Sequence, residues 1–266
     1  MTGMLSIIMN ANGLFDFGVC QFSSVEEHLL PCMAKGRLPK NSSSVISVLF
    51  PYKVPVRKGN LSLYAAVPDY HEIAGHMLDT ACNALSNAFG EHQFVWFIDN
   101  SPIPEVYAAS LCGLGMIGDN GLLINEKYGT FCFIGEIVTD LDVPATGFGV
   151  SYCEHCGTCR ASCPGKALTG DGFVRDNCLS YITQKKGMLT EVEAGLIRKN
   201  GSVWGCDVCQ EVCPHNAAAA DTYIDAFLRR ANPDVTENDL ADASDRAYMW
   251  RGKNVVKRNL DIFKDD

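Results

Sequence analysis

Eight cysteines packed into 61 residues constrain this chain more than any other feature. The first run is Cys153-Glu-His-Cys156-Gly-Thr-Cys159-Arg-Ala-Ser-Cys163-Pro164, a C-x2-C-x2-C-x3-C-P pattern. The second, Cys206-Asp-Val-Cys209-Gln-Glu-Val-Cys213-Pro214, reads C-x2-C-x3-C-P, with Cys178 between the two. The first spacing is that of bacterial ferredoxins, whose fourth cysteine ligates the other cluster when two are present. Three cysteines two residues apart wrap one cubane and cover three of its irons. The fourth iron needs a ligand from elsewhere. Cys163 lies just past the loop, and the proline after it stops regular structure from continuing. The same logic splits the second run two and one. The spacing therefore predicts two [4Fe-4S] clusters: Cys153, Cys156, Cys159 and Cys213 hold cluster one, and Cys163, Cys178, Cys206 and Cys209 hold cluster two.

Two other uses of cysteine compete with this reading. Zinc favours isolated C-x2-C pairs at longer separations and has no need of the C-P element. A disulfide framework suits small secreted domains, and no export signal is read at Met-Thr-Gly-Met-Leu-Ser-Ile-Ile-Met-Asn. The expected compartment is a reducing cytoplasm. The remaining five cysteines, Cys20, Cys32, Cys82, Cys112 and Cys132, stand in apolar stretches, and most of them read as small buried hydrophobes.

At 266 residues the chain has room for one sizeable domain and a smaller one. No apolar run reaches the ~18 residues of a membrane span. The formal net charge is −9, and each cluster would add negative charge. Such a surface repels phosphate backbones unless cations gather on one face. The densest groups, Lys53, Arg57, Lys58 and Lys185, Lys186, are short.

The expected architecture is α/β in the broad α+β sense. A mixed α/β domain over 1–145, which the family resemblance given below implies is nitroreductase-like and binds cobalamin, precedes a small ferredoxin-like double-cluster domain over 146–220. A C-terminal helix and polar tail follow over 221–266. Ser44 to Phe50 is β-rich and ends at Pro51. Tyr70 to Phe89 carries apolar residues at helical spacing, with Gly90 as a stop. Phe94 to Asp99 reads as a buried strand that delivers Asp99 to its end, and a helix runs from Pro102 through Leu111. Leu122–Ile124 and Thr130–Thr139 read as a hairpin turning near Lys127–Gly129. Asn177–Lys185 and Thr190–Lys199 read as helices, after a linker Pro144-Ala-Thr-Gly-Phe-Gly. Gly113-Leu-Gly115-Met-Ile-Gly118 matches G-x-G-x-x-G, but it follows a helix and precedes a strand, the reverse of a dinucleotide site. Those glycines are expected to turn the backbone tightly beside a large flat ligand.

Several collinear segments carry a family resemblance. They are Leu61-Ser-Leu-Tyr-Ala, Asp69-Tyr70-His71 and Ile98-Asp99-Asn-Ser-Pro102-Ile-Pro-Glu105. Cys112-Gly-Leu-Gly-Met-Ile-Gly118-Asp-Asn120-Gly-Leu-Leu-Ile124 and Gly135-Glu136-Ile-Val-Thr139-Asp140 follow. Cys178-Leu-Ser-Tyr181-Ile-Thr183 and Gly205-Cys-Asp-Val-Cys-Gln210 complete the set. Together they resemble epoxyqueuosine reductases, which are cobalamin- and iron–sulfur-dependent enzymes of tRNA modification related to reductive dehalogenases. The resemblance implies cobalamin beside cluster one, with Ser62, Gly113, Gly115, Gly118, Asn120, Leu123 and Tyr181 as cofactor-binding residues. It implies Asp99 as the proton donor, with Tyr70 and His71 as further catalytic candidates. The apolar run before Asp99 agrees, since burial would keep its carboxyl protonated. The competing role for Asp99 is a helix cap. Flavodoxin or ferredoxin would deliver electrons at cluster two.

The departures from the family shape the expected substrate. Leu63 and Val106 stand where arginines are usual, Asp119 where lysine is usual, and His215 where tryptophan is usual. Each removes a cation or an aromatic that could hold nucleic acid. The chain is also about a hundred residues shorter than the family pattern. These features predict a small-molecule substrate and make tRNA a doubtful partner. The alternative to an enzyme is a two-cluster electron carrier or redox sensor with a vestigial cobalamin site.

Overall fold

The computed structural model describes residues 2–264. In chain order, helix α1 (Thr2–Ala11) leads into strands β1 (Phe17–Gln21) and β2 (Ser44–Pro51). Short α2 (Leu63–Ala66), long α3 (Tyr70–Phe89), β3 (Phe94–Ile98) and α4 (Glu105–Leu111) follow. Next come β4 (Met116–Ile117), β5 (Leu123–Ile124) and β6 (Cys132–Thr139). The cysteine-rich half contains α5 (Thr158–Ser162), the pair β7 (Leu168–Thr169) and β8 (Gly172–Phe173), α6 (Leu179–Gln184), α7 (Glu191–Asn200) and α8 (Val208–Glu211). Helices α9 (Asp225–Arg230) and α10 (Lys253–Lys264) end it.

One antiparallel sheet in the order β1-β2-β6-β3 forms the centre. All eight residues of β2 are buried, because helices cover both faces of the sheet. Ile46, Val48 and Phe50 pack with Ala74, Leu78 and Leu85 of α3. The alternate residues face the other way: Val45 joins Ala108 and Cys112, and Leu49 joins Ala109 and Ile134. A period of two therefore sorts one strand between two helices. Helix α3 forms where its apolar spacing predicts. Asp69 caps it by accepting the His71 amide, and Gly90 ends it at φ +61°. Gly75 lets Trp96 approach, since a Cβ there would sit 3.2 Å from the indole.

Two expectations from the sequence are corrected. Leu123–Ile124 does not form a hairpin with the strand that follows. β5 pairs instead with β4, and β6 runs between β2 and β3. The turn survives only as a bridge between Asn125 and Gly129. The eight-residue β6 gains far more from two long neighbours than from a two-residue strand. The stretch after α9 is no polar tail. Val255, Val256 and Leu260 of α10 are buried with Trp204, Tyr248 and Leu61 in a second core beneath the cysteine-rich half. Helix α1 and strand β1 carry no prediction above. Among the described residues, no helix is long and apolar enough to cross a membrane.

Candidate functional site

The two cysteine runs fold into two separate groups of thiols. Cys153, Cys156, Cys159 and Cys213 line one small cavity, together with Gly118, Asn120, Ile124 and His215. Cys163, Cys178 and Cys209 meet in an apolar cluster with Ala167 and Leu168, and Cys159 of the first group packs against the same cluster. Cys206 joins them: burial pushes its thiol up to about 11, with Asp207, Cys178 and Cys163 adding to the effect. All eight thiols are free. Four thiolates at each of two places are the donor set of two cubanes. The Ala167 amide points at Cys163 Sγ over 3.2 Å, a contact that tunes cluster sulfurs.

The frame around cluster two is closed from the C-terminal side. Asn259 of α10 is wholly buried, and its Nδ2 donates to Thr183 O at 2.7 Å and Val203 O at 2.8 Å. Arg258 adds donations to Lys185 O and Gly187 O, both at 2.6 Å. One helical turn thus ties the segment after Cys178 to the segment before Cys206. Helix α7 braces the same region through a capping box between Thr190 and Glu193 and a left-handed Gly201.

A second kind of site opens at the end of β3. Asp99 has φ +56°, an uncommon conformation for a residue with a side chain. Its carboxylate turns outward and is 65% exposed, so the burial expected for it is not found. The cause is local: the chain leaves the sheet after Ile98 and folds back at once, with Ser101 N donating to Asp99 O. Two adjoining cavities, of about 150 and 390 Å³, share Asp99, Glu105 and Val106. Tyr70, Leu122, Leu123, Phe133 and Ile134 wall the smaller, and Ile103, Tyr107 and Ile117 the larger. The Tyr70 ring stacks on Phe133 at 3.9 Å and on His71 at 4.1 Å. His71 connects two acids: Nδ1 meets Asp69 Oδ1 at 2.7 Å, and Nε2 meets Asp99 Oδ2 at 3.4 Å. Those two contacts, Asp69 first, raise its pKa to about 9 against the opposing effect of burial.

Two further acids stand here: Glu105, half-buried at the start of α4 with its Oε1 buried, and Glu136, wholly buried on β6. Burial raises Glu105 to about 8, and nearby Asp99 adds to the effect. Glu136 is 0% exposed on β6, opposite Ser47 and Phe97, and burial lifts its carboxyl well above the usual range. Glu105 was quoted in the motif before α4, and Glu136 in the motif on β6, without a role for either. A carboxylate inside apolar β6 was the available signal.

The proposed cofactor-binding residues do not converge on one cavity. Gly118 and Asn120 border cluster one, and Leu123 lines the Asp99 cavity. Gly113 and Gly115 line a third hollow of about 440 Å³, which reaches Ile124 and His215. Ser62 lies elsewhere, packed against Gly205 beside cluster two; a Cβ on Gly205 would sit 1.9 Å from its Oγ. Tyr181 follows Cys178 on α6, and its ring takes Arg175 and Lys185 at 4.7 and 5.6 Å. The glycines are also explained by the chain itself. Gly115 lies where a Cβ would meet Ile124 O at 2.4 Å, and Gly113 at φ +78° faces Gly147 of the linker. Of the other five cysteines, Cys20, Cys82 and Cys112 are buried, and Cys132 lines the Asp99 cavity.

An α+β sheet domain carrying an acid-lined cavity, joined to eight thiols in two fours, defines a two-cluster iron–sulfur protein with a separate reaction pocket. A family model for 4Fe-4S double cluster binding domains matches residues 152–216, and one for epoxyqueuosine reductase QueG, DUF1730, matches residues 35–100. An epoxyqueuosine reductase of Leadbetterella byssophila is 31% identical over 86% of this chain and 80% of its own length. One of Lactococcus garvieae is 33% identical over 79% of this chain and 62% of its own length. The chain belongs to the epoxyqueuosine reductase family. It spans just under two thirds of the Lactococcus relative. The fold also matches solved structures: that of the Streptococcus thermophilus reductase at TM-score 0.82 and 23% identity, covering 99% of this chain and 80% of that one. An epoxyqueuosine reductase solved with a tRNA-Tyr stem loop carrying epoxyqueuosine matches at TM-score 0.84 and 19% identity, covering 98% and 80%.

Proposed function

We propose that this protein is a reductase of the epoxyqueuosine type and that its substrate is a modified nucleoside in a tRNA stem loop. The observation that carries the reading is the placing of the Asp99 cavity against cluster one. The loop from Gly118 to Leu123 lines the thiol cavity at one end and the Asp99 cavity at the other. Family membership and a relative of this fold that holds a tRNA stem loop support the choice of substrate. The expectation of a small-molecule substrate is withdrawn. Net charge sums the whole surface, whereas a stem loop meets one face of it.

Four thiolates apiece fit the two clusters, which would supply single electrons. A donor of the flavodoxin or ferredoxin kind would meet cluster two, and electrons would pass on to cluster one. The apolar walls of the cavities, with the glycine-rich loop beside them, fit a broad macrocycle of the cobalamin kind. Gly118, Asn120 and Leu123 would hold it, and it would supply low-potential cobalt chemistry when bound. The protein's own residues provide the proton. Asp99 presents a carboxyl at the cavity mouth, and His71 meets its Oδ2 while Asp69 holds His71. Tyr70, Phe133 and Leu123 exclude water from the inner wall. A relative from Bacillus subtilis was solved with its catalytic aspartate loop swung out of the active site. The outward, left-handed Asp99 turn fits a loop of that kind, which would close over the substrate. We place the protein in the cytoplasm, where such clusters survive.

The test is anaerobic turnover. The reconstituted protein, with cobalamin and a reductant, should convert epoxyqueuosine in a tRNA stem loop. The same gene should restore queuosine to a strain lacking the reductase. Intact cluster spectra with no co-eluting cobalamin and no product would leave the electron-carrier reading in its place.

A further inference from the structure

The β7–β8 hairpin lies against the thiols assigned to cluster two. Leu168 of β7 is buried with Cys163 and Ala167. The Ala167 amide points at Cys163 Sγ over 3.2 Å, and Ala167 O accepts the Val174 amide at 2.8 Å. Two hydrogen bonds through one residue therefore join Val174 to a cluster sulfur. The other strand of the hairpin stays in solvent: Phe173 is 59% exposed and Val174, directly after it, 42%. Two neighbouring apolar side chains are thus presented to water a short covalent and hydrogen-bonded distance from a redox centre.

Cations gather in the same segment. The whole chain carries a formal charge of −9, yet between Lys166 and Lys186 stand four cations and two acids, Asp171 and Asp176. The Tyr181 ring collects two of the cations, Arg175 at 4.7 Å and Lys185 at 5.6 Å from its centroid. Lys185 is also paired with Glu193. Among the described residues, exposed Lys166, Arg175 and Lys186 have no carboxylate within ion-pair distance. A second approach to cluster two is a hollow of about 200 Å³ lined by Cys206, Ser62, Arg57 and Lys58. Its cations are already matched: Arg57 pairs with Asp234, and Lys58 with Glu211 at 2.8 Å. The hairpin keeps its positive charge for a partner.

We propose that the β7–β8 hairpin is the docking face for the electron donor, and that the donor is an acidic flavoprotein of the flavodoxin kind. This rests on the electron route through cluster two proposed above. Phe173 and Val174 fit the hydrocarbon edge of a flavin, which must come close to its acceptor with no water between them. Carboxylates around that edge meet Lys166, Arg175 and Lys186 and steer the encounter. Tyr181 is then a platform for cations. In each encounter the reduced flavin loses one electron and cluster two gains it, and no covalent bond forms or breaks. The path from Val174 through Ala167 to Cys163 carries the electron across the hairpin.

Cluster-loaded protein without tRNA tests this. Anaerobic stopped-flow mixing with reduced flavodoxin should bleach the cluster absorbance at a rate that falls steeply with added salt. Arg175→Glu combined with Lys186→Glu should slow it roughly 10-fold at low salt and flatten the salt dependence. Phe173→Ser should slow it at every salt concentration. Calorimetry should show weaker binding of oxidised flavodoxin to both variants. Dithionite, a small reductant that needs no docking face, should reduce them at the wild-type rate. Arg57→Glu combined with Lys58→Glu should leave reduction by flavodoxin unchanged. Wild-type flavodoxin rates in the hairpin variants, equal slowing by dithionite, loss in the Arg57 and Lys58 variant instead, or reduction by a ferredoxin alone each overturn the proposal. Protein that takes electrons at this face yet converts no tRNA refutes the substrate reading and leaves the docking face standing.

Discussion

Asp119 accepts a hydrogen bond from His155 Nδ1 over 2.6 Å, and its other carboxylate oxygen takes Arg160 Nη2 at 3.3 Å. The acid that replaces the family's usual lysine therefore has partners on the cluster-one loop itself. It joins the Gly118–Asn120 loop to both sides of Cys156 and Cys159. On the opposite rim, His215 Nε2 meets Glu154 Oε2 at 2.8 Å. Partners that orient a ligand loop typically contribute 10- to 100-fold to metal retention. Asp119→Ala should speed iron loss from cluster one to a chelator by about 10-fold, with cluster two unaffected. Iron release followed alongside the cluster spectra checks this; equal rates in both proteins would remove Asp119 from the cluster's support.

The thiol groups predict a divided metal content. Wild-type protein should carry about eight irons and eight sulfides in two cubanes. Cys178→Ser should lose cluster two and retain about half of the iron, because the Cys153, Cys156, Cys159 and Cys213 set is separate. Loss of both clusters would mean that the two fold as one unit with their metal. Single Ala variants of Cys20, Cys32, Cys82, Cys112 and Cys132 should leave iron unchanged. Anaerobic iron and sulfide analysis reads all of these.

Asp99→Asn keeps the shape of the side chain and loses its proton. Turnover should fall by about 10²–10⁴-fold, with cobalamin and cluster content intact. An unchanged rate would move the acid to Tyr70 or His71.

His71 makes a pH-dependent contribution to stability. Its folded pKa of about 9 lies above the ordinary value of 6.5. The contribution is fully present below about 6.5 and fades as pH rises through about 9. His71→Gln should flatten that alkaline decline in denaturant midpoint. The ring is partly exposed, so salt should weaken the effect. A decline of the same size in the variant would assign it to another group.

Packing gives a graded pair of stability tests. Leu78→Ala empties a wholly buried place between α3 and the sheet and should cost about 2–5 kcal/mol. Thr190→Ala opens the capping box of α7 and should cost about 0.5–2 kcal/mol. Denaturant unfolding of the two variants should rank them in that order.

Local signals in the sequence were read correctly where neighbours in the chain decide the outcome. The α3 pattern from Tyr70 to Phe89 matches the helix residue for residue, because its cap, stop and apolar stripe are all local. Pairing across the sheet was not legible: β6 finds β2, some eighty residues away, and leaves β5 to β4. Helix α10 hides Val255, Val256, Leu260 and Asn259 among charges, so it reads as polar until a partner surface is known. Asp99 follows an apolar strand, but the left-handed turn that exposes it cannot be seen in residue type alone. Glu105 and Glu136 were in plain view, yet the enclosure of Glu136 and the buried Oε1 of Glu105 exist only in three dimensions. Ser62, named through resemblance, lines a hollow with Cys206, and the Tyr181 ring takes Arg175, neighbours that linear motifs do not encode.

The double hydrogen bond of Asn259 has a consequence for timing. The carbonyls it binds lie more than fifty residues upstream, near the two ends of the stretch between Cys178 and Cys206. During synthesis, all four thiols of cluster two leave the ribosome before the residue that fixes their spacing. The tie that spaces the cluster-two segments is therefore completed only when α10 has been made, after the last of those thiols.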